Sequence, residues 1–402
     1  MAASALLLKV LSIDQLRVER RAGGLFDCDA TGCYDRILPP LASVHLQALG
    51  LAPSIATFLA RLMFVAKCYV KTKHSVSVNN IRTTHEDPLF GIGQGNGGEP
   101  AIWLAHLTVM FTALSSICTG LVISCVKGLE TLVAIGTGYV DDVTLITSLR
   151  TEEPQTEKQV RNRLRIMATR WEKLLYLTGG KLELSKCFWI PIVWEWRKGD
   201  PVLLRKRNQV YDMIITESES GEKVCIPRSH PAAAEIRLGI RYSLDGTWSQ
   251  EYNFWKEFST EFASTVKKAK LDRAGGYHTY NTLWCSKFRY GAPVISFTEK
   301  QLNNIQKRII GPCLAAAGFN SKMPRAVVFG PALYGGMNWT SPFTMHLYEK
   351  IKFVVGSIRL SDTVGKLLLL QVQWMQLFAG TSSPLLDTDT EIPYLPLSWL
   401  QS

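Results

Sequence analysis

Two short segments constrain this chain most, because each sets carboxylates into sequence that otherwise favours β-strands. The first, Leu25-Phe26-Asp27-Cys28-Asp29-Ala30, follows Gly23-Gly24 and reads as a strand leaving a turn. Leu38-Pro39-Pro40-Leu41 then opens a helical pattern, so a strand-to-helix unit is expected. The second segment holds Asp141-Asp142 between the β-favouring runs 131–135 and 143–147, and reads as a hairpin with the aspartates near its turn. A glycine-rich stretch at 91–98 lies between them, ahead of a predicted helix. Carboxylates from two adjacent strands can hold a pair of Mg²⁺ ions about 3.5–4 Å apart, an arrangement that serves phosphoryl transfer. Asp-Asp in a hairpin is by itself an ordinary solvated turn; the order and spacing of the three features point to chemistry.

The rest of the chain is globular in composition. Its 402 residues are 47% hydrophobic and 20% charged, enough for two or three domain cores, which excludes disorder and collagen-like folds. Forty-five Lys and Arg against 34 Asp and Glu leave a net charge of +11, favouring a polyanionic partner such as nucleic acid or anionic lipid. Nine cysteines with no C-x-x-C pair argue for reduced thiols in an intracellular protein, nucleus and cytoplasm not being distinguished.

Residues 103–126 carry no formal charge over the length of a membrane span, but His106, several hydroxyls and Gly120 favour a buried helix followed by a core strand. No membrane partner is expected. The N-terminus, apolar at first and then broken by Asp14, Arg17, Glu19 and Arg20, reads as part of an amphipathic helix. Val160, Leu164, Met167, Trp171 and Leu174 predict a one-faced helix, and Tyr252, Trp255, Phe258, Phe262 and Val266 another. Residues 189–237 read as strands with a mobile loop at 216–222, and Thr298-Glu299-Lys300-Gln301 as a capping box.

These residues resemble a known family. Phe26-Asp27-Cys28-Asp29-Ala30-Thr31-Gly32-Cys33-Tyr34-Asp35 resembles polymerase motif A, and Tyr139-Val140-Asp141-Asp142 resembles motif C of non-LTR retrotransposon reverse transcriptases. The run Gly91-Ile92-Gly93-Gln94-Gly95-Asn96-Gly97-Gly98-Glu99-Pro100 looks like motif B, Gly179 with Lys186 like motif D, and Arg237-Leu238-Gly239-Ile240 like motif E. Five motifs in the family's order are far more specific than any one.

The resemblance implies that Asp29 and Asp141 are the principal ligands of two Mg²⁺ ions, with Mn²⁺ an alternative, and that Asp142 is the third carboxylate. It makes Tyr34 the steric gate that excludes a ribose 2′-hydroxyl; the alternative is a core aromatic closing the strand-to-helix turn. Gln94 and Gly95 match the residues that contact nucleotide and template, and Lys186 a general acid for pyrophosphate, the alternative being a solvated lysine. Arg205, Lys206, Arg207, Lys267, Lys268 and Lys270 collectively suit a groove along a template–primer duplex; for any one of them an ordinary solvated face is the commoner reading.

Two other glycine-rich readings fail. Gly93, Gly95 and Gly98 satisfy G-x-G-x-x-G, but no buried strand precedes them and no acidic residue stands about 20 positions later to bind a ribose. No Gly-Lys-Ser or Gly-Lys-Thr completes a Walker loop.

The chain departs from the family in three places. Only 28 residues precede Asp29, so the fingers are expected to be largely absent; Glu183 stands where Asn is usual, and Glu99 where Ser is frequent. The expected fold is α+β: a polymerase palm of antiparallel strands backed by helices over 1–245, with inserted strands and loop at 190–236. A thumb-like helical region over 246–297 and a helical C-terminal extension over 298–402 would follow. The expected function is RNA-directed DNA polymerisation on an RNA template with a DNA primer and dNTPs. The alternatives are a catalytically inactive nucleic-acid-binding fragment and, less favoured because of Tyr34, an RNA-dependent RNA polymerase.

Overall fold

The structure, a computed structural model, describes residues 2–82, 84, 91, 97–128, 131–198, 200–204, 212–380, 382–385 and 399–400. The chain begins with α1 (Ala2–Glu19), β1 (Gly23–Asp29), α2 (Pro39–Ala48), α3 (Pro53–Val65), β2 (Lys67–Lys71), β3 (Val76–Arg82) and α4 (Glu99–Ile117). Next come β4 (Leu121–Ser124), β5 (Thr131–Ala134), β6 (Gly136–Tyr139), β7 (Asp142–Ser148), α5 (Glu157–Leu177) and β8 (Phe188–Ile192). Short strands follow: β9 (Trp194–Arg197), β10 (Asp200–Leu203), β11 (Met213–Thr216), β12 (Lys223–Ile226), β13 (Ala234–Arg237) and β14 (Ile240–Ser243). The remainder is helical: α6 (Ser249–Lys268), α7 (Arg273–His278), α8 (Cys285–Gly291), α9 (Glu299–Ala316), α10 (Arg325–Phe329), α11 (Pro342–Leu360) and α12 (Thr363–Ala379). This is a mixed helix-and-sheet architecture, in line with an α+β class.

Two compact units result, and they are not consecutive stretches of chain. One comprises 21–122 with 133–230; the other comprises 1–20, 123–132 and 231–402.

In the first unit the central sheet is antiparallel in the order β6–β7–β1–β8. Helix α5 starts at Thr156, whose side chain caps Gln159 N–H, and its Val160, Leu164, Met167 and Trp171 are fully buried as their spacing predicts. It lies so close on β1 that a Cβ at Gly24 would stand 2.7 Å from Val160 Cγ1. Strand alternation places Phe26 and Cys28 on that same face, in one core with α5. Truncating Trp171 would cost about 3–5 kcal/mol. Helix α4 joins the layer: Phe111 stacks on Trp171 with centroids 5.1 Å apart, and Leu107 and Phe111 lie over Gly138 of β6. The opposite face of β1 and β7 therefore carries Asp27 opposite Thr144 and Asp29 opposite Asp142.

Two expectations are corrected here. The partner arm of the Asp-Asp hairpin is β6, not 131–135, because Gly136 and Gly138 give the strand no side chains where α4 passes. The polar stretch at 216–222, expected as a mobile loop, is the hairpin turn between β11 and β12; Glu217 N–H bonds Glu222 C=O at 2.9 Å. Lys181 clasps that turn through Glu217 at 2.9 Å and Glu219 at 2.6 Å. The uncharged run from Trp103 divides at Gly120 into α4, long and apolar enough to cross a membrane, and strand β4. One side of α4, including Ile102, Leu107, Met110 and Leu114, is buried in the core.

In the second unit α1 is buried all round rather than amphipathic. Inside, Asp14 bonds Arg17 at 2.8 Å and Trp399 N–H at 2.6 Å, and Gln371 of α12 donates to Leu11 C=O at 2.7 Å. The buried stripe of α6 is also rotated, running Glu251, Trp255, Ser259, Ala263 and Val266, while Tyr252, Phe258 and Phe262 are half-buried. Glu251 turns inward because it accepts from Trp255 Nε1 at 2.8 Å and Arg241 N–H at 2.9 Å. The capping box of α9 is present, with Leu302, Ile305 and Ile309 buried behind it. All nine cysteines are free thiols.

Candidate active site

The register of β1 against β7 brings the separated aspartates together. Asp29, the last residue of β1, faces Asp142, the first of β7, and paired residues of antiparallel strands point to one side. Asp141 occupies the two-residue turn with Val140, and its C=O accepts from Ala30 N–H at 3.3 Å. The three aspartates of the two motifs thus meet at one end of the sheet.

The turn is strained and supported. Val140 has φ +56°, a left-handed conformation that a β-branched residue rarely adopts, and its C=O is held by Trp103 Nε1. Trp103 also meets Tyr34 edge-on at 6.2 Å, so the half-buried Tyr34 is propped against the helix that follows motif B. Burial raises the Tyr34 phenol above its ordinary range, with Cys33, Glu99 and Asp141 adding to it. The Cys33 thiol is pushed up to about 11, chiefly by burial and then by Asp141.

Segment 181–186 closes the other side. Thr31 N–H bonds Lys181 C=O and Glu183 N–H bonds Asp29 C=O, both at 2.9 Å, so this segment runs alongside the end of motif A. Lys186 is thereby delivered to Asp29, Nζ to Oδ2 at 2.7 Å. That hydrogen bond to Asp29 raises the Lys186 ammonium above its ordinary range and keeps it charged. Glu183 accepts from Ser185 and from Thr31, at 3.2 Å for the latter; those two hydroxyls hold its carboxyl below the usual range. Gly179 ends α5 with φ +91°, its Cα directly against Arg36 C=O. Gly91, with φ +95°, donates to Ile37 C=O at 3.0 Å and lies against the Asp35 backbone. The motif B and motif D glycines are therefore both packed on the chain just after motif A.

Gln94, Gly95, Arg205, Lys206 and Arg207 lie outside the described residues. Lys267 and Lys268 end α6, Lys270 follows, and all three are exposed in the second unit. Among the described residues no three or more His, Cys, Asp or Glu side chains form a preformed metal cage. The donor set still suits Mg²⁺, which takes one or two carboxylates and completes its shell with water and substrate phosphate.

Sequence reasoning did not single out Trp103, Thr31 or His45 and used His106 only as a sign of a buried helix; in the structure His45 and His106 are a buried pair. Their ring nitrogens Nδ1 are 2.9 Å apart, and His106 reaches Thr178 at 3.1 Å. Burial, and the neighbouring His45, push His106 down to about 4. A histidine inside the apolar pattern of α4 was the available signal.

No family profile and no curated protein matches this chain. It is similar to solved structures of telomerase. The telomerase of Candida tropicalis in complex with a fragment of telomeric RNA is 11% identical, with 90% of this chain and 52% of that chain covered and a TM-score of 0.30. The corresponding Candida albicans complex is 12% identical, with 96% and 57% covered and the same TM-score. The chain spans about half the length of these structures.

Proposed function

We propose that this chain is the palm and thumb of an RNA-directed DNA polymerase of the non-LTR retroelement type. The palm falls within residues 1–245. The observation that carries the reading is the register of Asp29 opposite Asp142, with Asp141 in the turn between β6 and β7. Asp29, Asp141 and Asp142 would hold two Mg²⁺ ions, or Mn²⁺, which when bound supply charge for the attacking and leaving oxygens. Tyr34, steadied by Trp103, presents its ring where a deoxyribose passes and a 2′-hydroxyl would collide. Lys186 holds a proton at Nζ beside the carboxylates, available to the departing pyrophosphate oxygen. The exposed Lys267, Lys268 and Lys270 supply phosphate contacts for an RNA template and DNA primer.

The test is Mg²⁺-dependent extension of a DNA primer on an RNA template, comparing the native chain with Asp141→Asn, while duplex binding is recorded alongside. Extension that disappears in the variant with binding retained is the expected result. Tyr34→Ala is expected to gain ribonucleotide use. The second reading, a non-catalytic nucleic-acid binder, draws on the ion pair that occupies Asp29. Duplex binding without extension by either protein would select it.

A further inference from the structure

The second unit contains an open cavity of about 480 Å³ that the polymerase reading leaves unused. Its volume lies within the ~300–1,000 Å³ of small-molecule sites. The walls are rings: Tyr277 and Trp339, edge-to-face at 5.9 Å, and Phe319, with Met337 beside them. Arg273 lays its guanidinium over the Phe319 ring, 4.6 Å from the centroid, and His278 adds an exposed imidazole.

The walls of the cavity are tied to their neighbours. Trp339 is stacked on Tyr280 at 5.2 Å, and its N–H bonds Val328 C=O at 3.0 Å. Met337 N–H bonds Val327 C=O at 2.8 Å, fixing the 337–339 strand of chain to α10. Gly276 lets α7 pass directly against Ala317, which sets Tyr277 close to the chain entering Phe319; a Cβ there would stand 2.7 Å from Ala317 Cβ.

Charge names the occupant. Between residues 267 and 325 the chain has eleven Lys and Arg but only Asp272 and Glu299, a net +9 of the molecule's +11. The Asp272 carboxylate is occupied in capping α7, accepting from Gly275 N–H at 2.7 Å. Aromatic faces with a guanidinium plane, in a segment of net positive charge, are the kind of surface on which an unstacked base of a single strand rests while its phosphates are neutralised. We propose that this cavity receives one nucleobase of a single-stranded nucleic acid. The site goes beyond the polymerase reading and needs nothing from the aspartates.

The test is equilibrium binding of the full chain to a short labelled oligouridylate and oligothymidylate, and to the same backbones carrying abasic sites. The base-bearing strand should bind about tenfold tighter than its abasic counterpart. Phe319→Leu, which keeps apolar volume but removes the π-face, and Ala274→Trp, which fills the cavity from a lining position on α7, should each abolish that difference while leaving abasic binding and its salt dependence unchanged. Circular dichroism confirms that the variants fold. A gain on either backbone supports the site, and the arm with the larger gain identifies the strand. Equal binding of base-bearing and abasic strands by the native protein would overturn it, as would a base-dependent gain that survives both variants. Primer extension is read separately, so failure here leaves the polymerase reading standing and the converse also holds.

Discussion

Gly179 holds φ +91° at the end of α5, and a Cβ there would stand 2.5 Å from Arg36 C=O. Gly221 holds a similar φ of +71° with open space around it. The pair separates conformational cost from collision. Gly221→Ala should cost about 1–2 kcal/mol, the left-handed penalty alone, whereas Gly179→Ala should cost about 2–5 kcal/mol because overpacking is added. Chemical denaturation of both variants measures the difference, and equal losses would refute the close approach. Lys186 offers a second contrast. If its proton serves the leaving group, Lys186→Ala should lower single-turnover nucleotide incorporation about 100-fold with duplex binding unchanged. Retained incorporation would reduce Lys186 to a counter-ion of Asp29. Gly179 and Lys186 were both singled out in the sequence by resemblance. What they touch was not, since Arg36 and Asp29 are more than a hundred positions away.

At the scale of elements, α5 was legible because its apolar spacing, its cap and its length all agree. Strand β6 was hidden, because two of its four residues are glycines that serve the approach of α4 and look like a turn. Helix α1 misled for the opposite reason: Asp14, Arg17, Glu19 and Arg20 suggest a wet face, yet Asp14 is buried and is met by Trp399 N–H from the far end of the chain. The contact between α2 and α4 carries a pH dependence. His106 is lowered from 6.5 to about 4, so its stabilising contribution is complete above pH 6.5 and is lost as pH falls toward 4. The loss amounts to roughly 3 kcal/mol. Denaturation midpoints measured between pH 7 and 4 should fall steeply in the native chain and less in His106→Leu. Parallel curves would remove the histidine pair from the account.

At the scale of the molecule, the second unit has opposed titrations where the first has aligned ones. Burial raises Asp14 to about 6, which takes away stability as pH rises through that value, while burial lowers His346 to about 4, which takes away stability as pH falls. The two slopes offset between pH 4 and 6.5. Hydrogen exchange at pH 4.5 should therefore find α4 and α5 unprotected before α6 and α9; the reverse order would contradict this. Charge is segregated as well as titration. Replacing Lys267, Lys268 and Lys270 together by Ala should reduce the slope of log K against log salt by about 2–3, uniformly across nucleic-acid sequences. An unchanged slope would exclude them as phosphate contacts. The sequence alone determined that acidic strand ends, a glycine-rich turn and an apolar helix occur in one order, because those features are local in backbone preference and period. It also determined the cationic character of residues 267–325. Only the tertiary structure decided that Asp29 stands opposite Asp142, that Lys186 reaches Asp29, and that Tyr277, Phe319 and Trp339 line an open cavity. Register, close approach and cavity walls depend on residues far apart in the chain meeting at distances of a few ångströms, which no local pattern encodes.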